Sequence, residues 1–181
     1  MAVVVVCGNG RGAGKTALIC GLIATLPEYE WTVVKMTDHA HGIPEPVWEE
    51  CEAGEGTDTA RYLASGAKRA LLVTATDEEF AQRLGELWEK LEPGADVIFE
   101  SNRVLEYVRP DVCLAVVGEG EAKPLFDETM QRAHAWVVRK ENGVEDDSGK
   151  RIFQENVPEV ISEEMRAWLR ECLRNVAQAQ K

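Results

Sequence analysis

Residues 3 to 19 constrain the fold more than any other stretch of this chain. Val3-Val4-Val5-Val6-Cys7 reads as a buried strand, Gly8-Asn9-Gly10-Arg11-Gly12-Ala13-Gly14 as a glycine-rich turn, and Lys15-Thr16-Ala17-Leu18-Ile19 as the opening of a helix. A strand feeding such a turn and then a helix builds a cradle for nucleotide phosphates. Successive backbone N–H groups wrap the oxygens, and glycine supplies φ freedom without a Cβ in the way. The helix adds the positive end of its dipole to the same anion. On this reading Gly8 to Ala17 bind nucleotide, Lys15 reaches the β and γ phosphates, and the Thr16 hydroxyl holds Mg²⁺. The strict pattern G-x-x-x-x-G-K-S/T has glycine where this chain has Asn9. Asparagine is the non-glycine residue that best tolerates a left-handed backbone, so the departure is expected to be mild.

Beyond this unit, strands alternate with helices. The first helix runs from about Gly14 to Leu26 and is stopped by Pro27, after which Trp31 to Met36 reads as a strand. Residues 37 to 56 show little periodicity and read as a long loop of the kind that is functional or mobile. Thr57 to Ala64 is expected to be a short helix capped by Thr57 or Asp58, and Arg69 to Thr74 a strand. Thr76-Asp77-Glu78-Glu79 forms a capping box before a helix striped by Phe80, Leu84, Leu87, Trp88 and Leu91. Further strands are expected at Asp96 to Glu100, Asp111 to Val117 and Ala135 to Arg139, with a helical turn near Glu128 to Arg132. A last helix opens at Ser162-Glu163-Glu164. Continuously apolar strands alternating with helices predict a three-layer α/β/α sandwich with a mostly parallel sheet. With 181 residues the chain fits one domain, 1–181.

Composition narrows the partners. A formal charge of −12 repels phosphate backbones, so nucleic acid is not an expected partner. No stretch is long and apolar enough for a membrane span, and no cationic start or cleavage site precedes the first strand, so a cytoplasmic protein is expected. The five cysteines are odd in number and scattered, with Cys7, Cys20, Cys113 and Cys172 inside apolar patterns, and read as reduced, mostly buried thiols.

In a parallel sheet, ligands bind outside the carboxyl ends of the strands, so Gly8 to Thr16, Lys35 to His41, Glu100 to Arg103 and Arg139 to Asn142 should converge on one crevice. Glu100 ends an apolar strand, where an acid binds Mg²⁺ through water or orients a nucleophile. Asp38 is a second candidate for water-mediated Mg²⁺ coordination, and with Lys15 and Glu100 makes up the candidate catalytic set. Lys35 is positioned to neutralise a phosphate or a substrate carboxylate. Asn102 and Arg103 are candidate substrate or phosphate contacts. His39 and His41 flank Ala40 in the loop and read as substrate or partner contacts, as transition-metal ligands, or as plain surface residues. His134 reads as structural.

The phosphate loop, Lys35-x-x-x-His39-x-His41, Gly56-Thr57-Asp58-Thr59-x-Arg61 and Ala64-Ser65-Gly66-Ala67 together resemble the molybdopterin-guanine dinucleotide biosynthesis protein B family of P-loop NTPases over roughly the first 75 residues. The strand ending in Glu100 is a further match. The wider class includes dethiobiotin synthetase and the nickel-insertion GTPases. The resemblance implies a P-loop NTPase fold, GTP binding with weak hydrolysis, and service to the nucleotidyltransferase that acts on molybdopterin, with His39, His41 and Arg61 meeting pterin or partner. GTPases of the class read guanine with N-K-x-D. This chain offers Arg139-Lys140-Glu141-Asn142, so Lys140 matches and Asn142 stands where the acid should be. The choice between GTP and ATP therefore stays open. Residues 37 to 56 are short for the dimerisation hairpins expected in that family, which leaves a homodimer open too.

Two other functions are consistent with the same residues. One is an ATP-dependent small-molecule kinase or a carboxylate-activating ligase similar to dethiobiotin synthetase, with Lys35 beside the γ-phosphate. The other is a metal-delivery GTPase using His39 and His41.

Overall fold

Val3–Gly8 forms β1, and every residue of it is buried. Alternation along the strand sends its side chains into two separate cores. Val4 and Val6 join Leu18, Ile19, Leu22, Ile98, Leu114 and Met165 on one face, while Val3, Val5 and Cys7 join Val34, Phe80, Leu87, Phe99 and Cys113 on the other. A strand apolar on both faces needs cover on both, which is the three-layer arrangement expected from the sequence.

The computed structural model describes residues 1–10, 12–38, 45–118, 126–138, 149–155 and 158–179. After β1 come α1 (Lys15–Thr25), β2 (Thr32–Thr37), β3 (Val47–Glu49), α2 (Asp58–Ala64), β4 (Arg69–Thr74), α3 (Phe80–Lys90) and β5 (Val97–Glu100). A 3-10 turn (Arg103–Glu106), β6 (Val112–Val117), α4 (Phe126–Arg132), β7 (Ala135–Val138), β8 (Arg151–Gln154) and α5 (Glu163–Ala179) complete the order. The eight strands lie in the order β3-β4-β2-β5-β1-β6-β7-β8. All pairings are parallel except that of β3 with β4. Helices α1, α2 and α5 cover the first core; α3, the 3-10 turn and the Met130 side of α4 cover the second.

Two strands depart from the sequence expectation. Val47–Glu49 lies within the stretch read as a loop, yet it pairs antiparallel with β4 at the sheet edge. Arg151–Gln154 extends the opposite edge against β7. Both are short and only partly buried, so they lack the continuous apolar run that marks β5 and β7. The Thr76 capping box does form: Thr76 Oγ1 accepts from Glu79 N–H at 3.4 Å and the Glu79 carboxylate accepts from Thr76 N–H at 3.3 Å. Regular helix begins only at Phe80. Ser162 caps α5 by accepting from Met165 N–H at 3.3 Å. His134 is structural: its Nδ1 accepts from Cys113 N–H at 2.9 Å, and burial holds the imidazole below its usual pKa. Cys7, Cys20 and Cys113 are buried free thiols. Among the described residues, no helix is long and apolar enough to cross a membrane.

Candidate functional site

β1, β2 and β5 lie side by side at the centre of the sheet, so their carboxyl ends open on one crevice. The loop after β1 turns through Gly12 (φ +75°) and Gly14 (φ +96°), which an L side chain would strain. Gly14 is the N-cap of α1, which has no side-chain cap and no acid in its first turn. Its leading N–H groups are thus presented to an anion. Lys15 Nζ donates to the Gly10 carbonyl at 2.7 Å, folding the lysine over the loop. Ala13 is buried, Ala17 is half-buried in the first turn of α1, and Arg11 falls outside the described residues.

Asn9 has a different role from the one expected. Its backbone is not left-handed, since Glu159 is the described non-glycine residue with positive φ. Instead, its buried side chain pairs with Gly118 just beyond β6. Nδ2 donates to the Gly118 carbonyl at 2.8 Å, and Oδ1 accepts from Gly118 N–H at 3.1 Å. A Cβ on Gly118 would fall 2.5 Å from Ala13 Cα, so backbone packs on backbone there. Asn102 repeats the device on the other side, accepting from Gly8 N–H at 2.9 Å and donating to the Gly8 carbonyl at 3.0 Å. Two asparagine amides therefore pin the loop to β5 and β6. The tie uses the carbonyl oxygen and one N–H of the Asn102 amide, which leaves a second N–H for the phosphate or substrate contact expected of it. Cys7, just before Gly8, is no nucleophile: the hydrogen bond with Cys113 and burial hold its thiol well above its usual pKa.

Beside the loop lies a polar cluster. Lys35 on β2 and Glu100 on β5 are register partners. Both fall on the face of their strands that carries Val33 and Ile98, under α1 and α2. Glu100 is only 6% exposed. Its Oε2 accepts from Thr16 Oγ1 at 3.2 Å and from the phenol of Tyr62, and its Oε1 lies 3.4 Å from Lys35 Nζ. Lys35 also pairs with Asp58, the first residue of α2. Burial alone would lower the lysine pKa, but Glu100 and Asp58 outweigh it and hold the ammonium above its usual value. Asp58 is likewise raised by burial and lowered more by Lys35, Thr16 and Arg61, so it stays a carboxylate. For Tyr62, burial and then the Glu100 charge raise the phenol well above its usual pKa, so it remains a donor.

Lys35 and Arg61 together face three carboxylates, Glu100, Asp58 and Glu159, which leaves a surplus of negative charge next to the Thr16 hydroxyl. These are hard oxygen donors of the kind Mg²⁺ takes, and phosphate oxygens would complete the shell. Among the described residues, no group of three or more His, Cys, Asp or Glu is placed to hold a metal by itself. The donor set therefore fits Mg²⁺ delivered with a nucleotide, held by Thr16, Glu100 and Asp58.

The other expected site residues scatter. Lys35 faces two acids, so an anion beside it would share the ammonium with Glu100 and Asp58. Asp38 stands one residue beyond β2 and is exposed; the acid that reaches Lys35 is Asp58. Arg61 pairs with Glu159 at 2.6 Å and lies 3.7 Å from Asp58. Arg103 pairs with Asp77 and covers the Phe80 ring at 5.1 Å. His39, His41, Lys140 and Asn142 lie outside the described residues. Asp58 and Tyr62 went unread as site residues. Their i, i+4 spacing on a helix that follows Gly56 was the available signal, because it puts an acid and a phenol on one face.

Comparison with solved structures assigns the fold. LpxK from Aquifex aeolicus, in complex with ATP, superposes with a TM-score of 0.55 at 16% identity, covering 98% of this chain and 68% of that one. A MobB protein homolog from Bacillus stearothermophilus superposes with a TM-score of 0.52 at 17% identity, covering 97% and 99%. This is a P-loop NTPase fold. No protein-family profile matches the sequence, nor does any curated protein. The expectation from the glycine loop and the strand-helix alternation therefore holds at the level of fold.

Proposed function

We propose that this P-loop protein binds Mg-nucleoside triphosphate, GTP or ATP, hydrolyses it weakly, and serves as an accessory in molybdopterin guanine dinucleotide cofactor assembly. The observation that carries the nucleotide reading is the contact of Thr16 with Glu100, beside an α1 N-terminus that no side chain caps. Gly8 to Ala17 and Lys15 hold the phosphates; Thr16, Glu100 and Asp58 supply oxygen to Mg²⁺, with Asp38 as a further acid at the rim. His39, His41 and Arg61 are assigned to molybdopterin or its nucleotidyltransferase, and Lys140 and Asn142 to the base. Support for the accessory role comes from extent: the MobB homolog and this chain match over nearly the whole length of both.

The reading predicts that saturating Mg-ATP or Mg-GTP at 100 times its dissociation constant stabilises the protein by about 2.7 kcal/mol. Lys15→Ala should weaken binding by at least about tenfold, the loss of one charge-assisted phosphate contact. Calorimetric titration with each nucleotide checks both. A protein with no affinity for any nucleotide, or one whose affinity ignores Lys15→Ala, overturns the reading. A molybdopterin nucleotidylation assay with and without the protein tests the accessory role separately.

A second reading, an ATP-dependent small-molecule kinase or ligase, is favoured by Lys35 beside Glu100 at the crevice and by the fold shared with LpxK bound to ATP. A phosphorylated metabolite formed from ATP and a metabolite pool would select it.

A further inference from the structure

A phosphate loop has no need of a tyrosine, yet Tyr62 is fully buried and its phenol is aimed at Glu100. Phenylalanine would fill the same space among apolar neighbours. A hydroxyl carried into a core costs free energy unless it finds a partner, and here it finds a carboxylate. The two oxygens of Glu100 are drawn in different directions. Oε1 faces Lys35 at 3.4 Å, whereas Oε2 accepts from Tyr62 and from Thr16 at 3.2 Å. Without the phenol, the Thr16 hydroxyl would be the one described donor left to hold Oε2 against the ammonium. The carboxylate would then be free to rotate toward Lys35 and leave Thr16. Tyr62 and Asp58 sit four residues apart on α2, so one helical face grips both members of the Lys35–Glu100 pair.

We infer that Tyr62 is a positioning residue: its phenol fixes the Glu100 carboxylate against Thr16 and thereby sets how strongly Mg²⁺ assists nucleotide binding. The inference rests on the Mg-nucleotide reading above. A hydroxyl that donates to Glu100 keeps its oxygen lone pairs for a cation, so the geometry that holds Glu100 also presents Thr16. Removing a group that orients a metal-binding side chain costs about 10–100-fold in metal affinity.

The test is a double-mutant cycle read as the ratio of nucleotide dissociation constants in EDTA and in Mg²⁺, with melting in EDTA as a check on folding. Tyr62→Phe is expected to shrink that ratio about tenfold or more. In a Glu100→Gln background, the same change is expected to shrink it little further, because the phenol acts through the carboxylate. If Tyr62→Phe melts early, Tyr62→Met, which also fills space without a hydroxyl, takes its place. An unchanged ratio in a folded variant overturns the inference, as do fully additive losses in the cycle. A wild-type protein that binds no nucleotide at all overturns the Mg-nucleotide reading and this inference with it, a result distinct from the other two.

Discussion

At the residue scale, Asn9 shows how a motif departure becomes a structural requirement. The amide joins the phosphate loop to Gly118 through two buried hydrogen bonds across 109 residues of sequence. Replacing it by glycine would restore the strict pattern and remove both bonds. It would leave the Gly118 N–H and carbonyl without the buried partners that Asn9 supplies. An orphaned buried polar group costs about 1–3 kcal/mol, more than the loop gains in backbone freedom. Asn9→Gly is therefore expected to destabilise the protein by about 2 kcal/mol in denaturant unfolding. A variant as stable as the wild type would show that the amide ties are dispensable. The position of Asn9 was legible in the sequence; its purpose was not, because the partner is remote. The same holds for the site. Thr16 and Glu100 were legible because a local pattern announces each, one a glycine loop and one an apolar strand end. Asp58 and Tyr62 acquire their roles from Lys35 and Glu100, which only the fold brings to them.

At the element scale, two helical glycines make opposite predictions. Gly85 is exposed in the middle of α3, and an added Cβ would meet nothing within 4 Å. Gly85→Ala should stabilise by about 0.5–1 kcal/mol, the ordinary helix-propensity gain combined with lost freedom in the unfolded chain. Gly21 in α1 carries the same propensity penalty, but its Cβ would fall 2.8 Å from the Glu159 carbonyl oxygen and 3.0 Å from its carbon. Backbone cannot swing aside as a side chain can, and Glu159 is already held at φ +63° and paired with Arg61. Overpacking of about 1–3 kcal/mol outweighs the propensity gain, so Gly21→Ala should be a net loss. Paired urea melts decide both, and a stabilised Gly21→Ala would mean that the segment before α5 yields easily. The sequence patterns found the helices and the long apolar strands because each repeats its signal over several turns or residues. They missed β3 and β8, which have three and four residues and owe their form to the neighbouring strand rather than to their own periodicity.

At the scale of the whole molecule, charge balance should set the response to salt. The chain has 32 acidic residues against 20 Lys and Arg, giving a formal charge of −12. Favourable surface pairs exist, among them Arg69–Glu49 at 2.7 Å, Arg170–Glu28 at 2.8 Å, and Lys68 between Glu30 and Glu92 at 3.1 Å each. Exposed pairs of this kind are worth about 0–1 kcal/mol apiece, and salt weakens them. Acids without such partners repel one another through the whole surface, and a Debye length of about 30 Å at 0.01 M leaves that repulsion nearly unscreened across the molecule. Raising ionic strength to 0.15 M shortens the range to about 8 Å, which removes repulsion between distant acids and leaves close pairs partly intact. The long-range term therefore loses more than the short-range one. For a chain of this length, 1 kcal/mol moves Tm by about 2–4 °C, so a rise of about 3 °C is expected between these salt concentrations. Scans of the nucleotide-free protein in EDTA keep ligand linkage out of the comparison. A Tm that falls with salt would mean that the surface pairs, not the net charge, dominate the electrostatics of this fold.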